Sequence, residues 1–329
     1  MRTEIQTVQP ATHAAWSADP LVGQVLHGRF QVLAPLGGGG PVRLYRALQL
    51  PARREVVLHV LSTAHADGEA QRGFLQEARV AARLGHPNTV TVLDAGRMDD
   101  GTVYVALEWL QGRTLAEQLA SGPLAWEQAV ALARGVGRSL RHAHQRGVVH
   151  GEVSSSNVLL VTDGELLHVK VRGFGRARPV AAKTAHLSVR GVTEGGVLPD
   201  APAYMAPERA RHVVDASGDV YSLGVVLYEM LVGRVPFVSE DPLELVFAHH
   251  KELPPRFSEL RPDLDIPAAV EAVVRRCLEK LPEQRFASVD AVLEALREVG
   301  GEGAAHASVS GLRAPAPRWV AAVTGLFRD

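Results

Sequence analysis

Two stretches of the chain hold residues whose types and spacing could do chemistry. Residues 148–160, "VVHGEVSSSNVLL", set a His, a Glu, three serines and an Asn between two apolar runs. The chain before them reads as a helix and the chain after them as a strand. The polar groups therefore fall in a loop wedged between buried elements, where an enzyme presents its catalytic side chains. The second stretch is "LGGGGPVRLY", residues 36–45, between two strand-like runs. Consecutive glycines let backbone approach a phosphate closely with its N–H groups turned toward it. A plain flexible turn is the alternative use of the same glycines.

Both stretches need rigid elements to position them. Up to about residue 109 short strand-like runs dominate: "RFQVLAPL", "RLYRALQL", "REVVLHVL", "TVTVLDAG" and "TVYVALEWL". Asp100-Gly101 joins the last two as a tight hairpin signal. One helical run, 69–84, interrupts them, with Phe74, Ala78, Ala81 and Ala82 at helical spacing. Beyond residue 113 helices take over. Trp126, Val130, Ala133, Gly137 and Leu140 make one stripe over 125–145. "NVLLVTDGELLHVKV" alternates as a hairpin across Asp163-Gly164. "DVYSLGVVLYEMLVG", 219–233, is apolar almost all round, which predicts a helix buried on every side. Further helices are predicted at about 241–251, 267–279 and 288–298, the last with Ser288 as N-cap. The expectation is an α+β fold: a small antiparallel sheet carrying one helix, a larger helical part, and a ligand cleft between two lobes.

Composition narrows the function class. Of 329 residues, 46% are hydrophobic and 22% charged, as in a globular protein and not a disordered one. The net charge of −1 gives no basic field for nucleic acid or an acidic membrane surface. The one cysteine, Cys277, lies in a helical run and reads as a core thiol; a chain with no disulfide framework fits a reducing cytoplasm. Residues 1–20 lack an apolar core for a signal peptide, and the apolar run 319–327, "WVAAVTGLF", is too short to span a bilayer. It is a candidate docking segment, as is "DPLELVFAHHK", 241–251. The 14 histidines show no metal-ligand spacing, so surface or core roles are expected of them, His249 and His250 included.

The order of the blocks carries more than any block alone. After "LGGGG" come "VVLHV", "FLQEARVAARLGHPN", "VALEWLQGRTL" and the 148–160 loop, then "VKVRGFGRA", "APAYMAPERAR", "DVYSLGVVLYEMLVGRVPF" and "PEQRFAS". In this order and spacing the chain resembles the protein-kinase family over about residues 28–298, and most of all bacterial Ser/Thr kinases. The resemblance implies a bilobal protein-kinase-like fold: N-lobe 28–108, hinge 108–113 and C-lobe 114–298, flanked by tails at 1–27 and 299–329. It places the adenine against the hinge near Glu108 to Leu110.

Position by position, the resemblance divides. Gly37 and Gly39 match the first two glycines of the phosphate loop, but Val42 replaces the third, and Val57 replaces the alanine beside the adenine. His59 stands at the lysine that clamps the phosphates, with shorter reach and less charge at neutral pH. Its partner Glu77 is kept, and a His59–Glu77 hydrogen bond is the expected use of both. His150 and Asn157 match the ends of the catalytic loop. Between them Gly151 replaces an arginine, Glu152 stands at the catalytic aspartate, and Ser154 replaces the lysine that stabilises the transferring phosphate. Gly173 takes the place of the metal-binding aspartate, with no Asp or Glu within seven residues on either side. Phosphoryl transfer depends on magnesium to neutralise charge, and magnesium needs hard oxygen ligands. Asn157 is then the only remaining metal candidate. Ala201 replaces the threonine that bonds the catalytic aspartate and lysine. Without an arginine at 151, phosphate on Thr184, Ser188 or Thr193 would lack its usual receiver.

The architectural positions stay. The resemblance implies that His150 stacks with Phe174, that Asp219 anchors the loop backbone, and that Glu208 pairs with Arg285. Two expectations follow. One is a pseudokinase: a scaffold or allosteric regulator in a Ser/Thr kinase pathway, partnered by an active kinase or another signalling protein. It would bind ATP weakly or not at all, without tight magnesium. The other is an active, atypical Ser/Thr kinase with Glu152 as base, Asn157 as the protein's metal ligand and His59 as a protonated clamp.

Overall fold

The structure, a computed structural model, describes residues 19–39, 42–61, 68–163, 166–174, 202–211 and 213–300. The described residues form two compact units, one from those within 19–75 and 93–109 and the other from those within 76–92 and 110–300.

The first unit is built on β1 (Val25–Leu26), β2 (Phe30–Gly39), β3 (Val42–Gln49), β4 (Arg54–Leu61), the start of α1 (Gly68–Ala81), β5 (Val92–Arg97) and β6 (Val103–Glu108). The six strands run in the order β1-β2-β3-β4-β6-β5. Phe30, Val32, Tyr45, Ala47, Val56, Leu58, Val60 and Tyr104 bury one face of the sheet together. Successive residues of a strand point to opposite faces, so Val57, His59 and Leu61 of β4 lie on the other face. These three are buried as well, which is why β4 reads as an almost unbroken apolar run. The Asp100-Gly101 hairpin is closed as its sequence predicts: the Met98 N–H donates to the Thr102 carbonyl, and the Asp100 carboxylate accepts from the Thr102 N–H at 2.8 Å. Residues 19–27, expected as tail, belong to this unit. Val25 and Leu26 pair with Gln31 and Phe30, and the Tyr45 hydroxyl donates to Asp19 at 3.0 Å. A two-residue strand has no periodicity to announce it.

The second unit holds β7 (Gly112–Thr114), α2 (Leu115–Leu119), α3 (Trp126–His144), β8 (Val158–Asp163), β9 (Leu166–Val171), α4 (Ala216–Val232), α5 (Pro242–Lys251), α6 (Phe257–Leu260), α7 (Ala268–Cys277) and α8 (Val289–Gly300). The helices predicted from periodicity form within a few residues of their expected ends. Ser288 caps α8 through the Ala291 N–H at 3.3 Å. Strand β7 adds a third member to the predicted hairpin, in the order β7-β8-β9. Helix α4 is buried on nearly every side, as its composition requires, and Cys277 is buried against this core.

Helix α5 is held by a buried aromatic cluster. His249 is fully buried, with Nδ1 2.8 Å from the Tyr221 hydroxyl and its ring edge-on to Phe237. Burial, reinforced by nearby Lys280, holds its imidazole at about 4, below the usual 6.5. On acidification the unfolded chain takes up this proton first, so stability present above pH 6.5 falls progressively down to about pH 4. The loss levels off at about 3 kcal/mol. Urea unfolding at pH 7 and pH 5 is expected to show a smaller pH-dependent loss in His249→Gln than in the parent chain. An equal loss in both would show that His249 is not the group responsible.

Candidate functional site

On the first unit, the glycine-rich segment is the end of a β-hairpin. Gly37, Gly38 and Gly39 pair with Leu44, Arg43 and Val42, and the ladder slips register between Pro35 and Gly37. Val42 is itself buried, so this residue at the third-glycine position packs into the unit. His59 is also buried and faces Leu44 on β3 and Val105 on β6 across the ladder. Glu108 ends β6 opposite Val56. Glu77 lies on the part of α1 that belongs to the second unit, where Leu110 is buried.

On the second unit, the 148–157 loop is organised around one carboxylate. Asp219, on the first turn of α4, has no solvent exposure. It accepts the N–H of His150 at 2.8 Å, the N–H of Gly151 at 2.7 Å and the Nε2–H of His144 at 2.7 Å. The His150 ring is fixed at both nitrogens: Nε2 donates to the Arg172 carbonyl at 2.8 Å and Nδ1 accepts the Glu152 N–H at 3.1 Å. That is the neutral tautomer, and burial holds this imidazole below its ordinary range. Phe174 meets the ring edge-on at 4.6 Å between centroids.

The remaining loop contacts also close on the loop itself. The Asn157 amide donates to the Glu152 carbonyl at 2.9 Å, and the buried Arg172 guanidinium donates to the Ser156 carbonyl at 2.9 Å. Burial brings Arg172 down to about 10. Ser154 is buried and precedes a short 3-10 turn, Ser155–Asn157. Ser155 meets Tyr204 at 2.8 Å and donates to Glu229 at 3.2 Å, while Tyr204 donates to Glu229 at 2.7 Å. Burial raises the Glu229 carboxyl.

Arg209, from "APERAR", was not singled out by sequence. It donates to the Gly151 carbonyl and lies 3.4 Å from the Glu152 carboxylate. A Cβ at Gly151, whose φ is +74°, would meet this guanidinium at 2.7 Å. Arg209 thus fills the space beside residue 151 and engages the Glu152 carboxylate. Gly173 has φ +92°, and a Cβ there would touch Asn157 and His150 at an ordinary 3.5 Å. Space for a side chain exists at 173, on a backbone that favours glycine. Among the described residues no group of three His, Cys, Asp or Glu could hold a metal ion. Arg285, its side chain fully buried, donates to both Glu208 oxygens at 2.6 and 2.7 Å. Ala201, Thr184, Ser188, Thr193 and the run 319–327 lie outside the described residues.

A small sheet with one helix, and a larger helical unit with a His-to-Asn loop anchored on a buried aspartate, define a bilobal kinase-like fold. The protein kinase domain model matches residues 30–296. The chain belongs to the protein kinase family, among its bacterial Ser/Thr members. It is 34% identical over 315 residues to the serine/threonine-protein kinase pkn3 of Myxococcus xanthus, covering 92% of this chain and 57% of that protein. It is 32% identical to PrkC of Bacillus subtilis, covering 82% of this chain and 40% of that one. For PknL of Mycobacterium tuberculosis the identity is 33%, over 92% of this chain and 73% of the relative. The chain therefore spans about half the length of the first two relatives. The crystal structure of the M. tuberculosis PknI kinase domain matches with a TM-score of 0.61 at 28% identity, over 84% of this chain and 97% of that one. Among the described residues no helix is long and apolar enough to cross a membrane.

Removing the anchoring carboxylate strands two backbone donors and a histidine. Asp219→Ala is expected to cost about 4 kcal/mol in urea unfolding. A cost below about 1 kcal/mol would mean that the loop holds its shape without it.

Proposed function

We propose that this chain is a catalytically impaired member of its family, a pseudokinase that acts by binding as a scaffold or allosteric regulator in a Ser/Thr kinase pathway. Its partner in this reading is an active kinase or another signalling protein. The observation that carries it is the Glu152–Arg209 pair, 3.4 Å long, at the position of the catalytic base. That carboxylate is engaged by a guanidinium from its own unit, and the position that would bring a metal toward it is Gly173, with no side-chain oxygen.

The residues present do not fit magnesium. Gly173 supplies no side-chain ligand, which leaves the Asn157 Oδ1 as the one side-chain oxygen that the resemblance offers a metal; the amide nitrogen donates to the Glu152 carbonyl. Phosphate contacts are reduced as well, with a buried imidazole at 59 in place of a lysine and Ser154 in place of another. Adenine recognition through backbone near Glu108 to Leu110 does not depend on side-chain identity, so weak, magnesium-independent ATP binding is compatible with this reading.

Thermal unfolding of the purified chain with 1 mM ATP, with and without magnesium, tests it. Binding at 100 times Kd stabilises by about 2.7 kcal/mol, which is several degrees. No magnesium-dependent rise is expected. A rise of several degrees only with the metal present would instead support the atypical kinase using Glu152.

A further inference from the structure

Helix α5 is anchored on one side and open on the other. Leu245, Ala248 and His249 are buried, with Phe237 packed against them. Phe247 is 69% exposed, although burying a phenyl ring is worth about 2 kcal/mol. Nine large hydrophobic residues stand exposed among the described residues. Four of them, Val238, Leu243, Phe247 and Leu253, lie on α5 or within four residues of its ends, and Phe247 is the one aromatic ring of the nine. Apolar side chains gathered in the open mark a contact surface.

The charges around Phe247 are ordered along the helix. At about 100° per residue, Leu243 and Lys251 stand about 40° to either side of Phe247. Glu244 falls about 60° round on the Lys251 side, and His250 about 60° round on the Leu243 side. The face is thus acidic before Phe247 and basic after it. The helix dipole favours that order, but it gives no reason for a phenyl ring left in water between the two charges. Glu252, the C-cap, lies about 140° round and off this face. Glu244 accepts the Ser239 hydroxyl at 2.6 Å through one oxygen, and neither Glu244 nor Lys251 makes an ion pair among the described residues.

We propose that this face pairs with the same face of a second copy of the chain, the two α5 helices running antiparallel about a two-fold axis at Phe247. A two-fold interface must be self-complementary, and this one is. Glu244 lies about 4.5 Å before Phe247 along the helix and Lys251 about 6 Å after it, on the same side. Turning the second helix end for end sets Glu244 of each copy opposite Lys251 of the other. Phe247 then meets Phe247, and Leu243 meets the His250 ring. A parallel pair would instead set Lys251 beside the other copy's His250 and leave Glu244 facing Leu243. The net charge of −1 puts little repulsion between two copies. An interface one helix wide buries less than about 1,200 Å² in total, so the dimer is weak, with Kd on the order of 10 μM. The face is separate from the 148–157 loop and does not rest on the pseudokinase reading.

Sedimentation velocity of the full chain from about 1 to about 200 μM, in about 50 mM salt, tests the proposal. A monomer–dimer equilibrium is expected. Phe247→Ala, Glu244→Lys and Lys251→Glu should each weaken it at least tenfold. An equimolar mixture of E244K and K251E should dimerise about as well as the parent chain, because the mixed dimer restores opposite charges at both contacts. All three side chains are exposed, and circular dichroism checks the fold of each variant; should Phe247→Ala unfold the chain, the charge mixture decides. A parent chain that stays monomeric at about 200 μM, a dimer that Phe247→Ala leaves intact, or a mixture no stronger than its two components alone would overturn the proposal.

Discussion

The second unit depends on a carboxylate taken wholly out of water. A buried ionised Asp is tolerated only when its oxygens are met by donors, and Asp219 meets three, two of them backbone N–H groups of the loop it supports. Because α4 is itself buried on nearly every side, the carboxylate is a fixed point. From it the rest of the loop follows. His150 is held at both ring nitrogens, its neighbour Phe174 packs on it, and Asn157 and Arg172 tie off the carbonyls that the loop turns inward. None of these contacts needs a lysine at 154, an aspartate at 173 or an arginine at 151. The shape of a catalytic loop is thereby separable from the groups that would make it react.

That separability explains how the substitutions divide. Positions whose side chains face the core or a buried partner are kept: His150, Asp219, and the bidentate Glu208–Arg285 pair. The substitutions fall where the family resemblance places phosphate and metal contacts, and some of the residues present there have packing uses. Val42 and His59 are buried, and Arg209 takes the room that a side chain at 151 would need. A fold can retain its stability through such changes, because the buried contacts that set it are untouched.

Much of this was legible in the sequence, for identifiable reasons. The long helices carry clear periodicity, the hairpin at Asp100-Gly101 is fixed by turn chemistry, and the ordered run of blocks pointed to the fold. Asp219 and the Glu208–Arg285 pair were legible only through the family resemblance, since an aspartate inside an apolar run says nothing alone about which backbone it anchors. What escaped was non-local or short. Arg209 reaches Glu152 across 57 residues, and Ser155, Tyr204 and Glu229 converge from three segments. Strand β1 is two residues long, and β7 is three. No pattern of period two or 3.6 can mark contacts or strands of that kind.

In the proposed reading the loop keeps its form and has lost its reaction. The most direct test follows transfer of the γ-phosphate from radiolabelled ATP by the purified chain, to itself and to a general acceptor protein, with magnesium or manganese. The parent chain and Glu152→Ala should be indistinguishable from a no-protein blank. Transfer by the parent chain that Glu152→Ala abolishes would contradict the account.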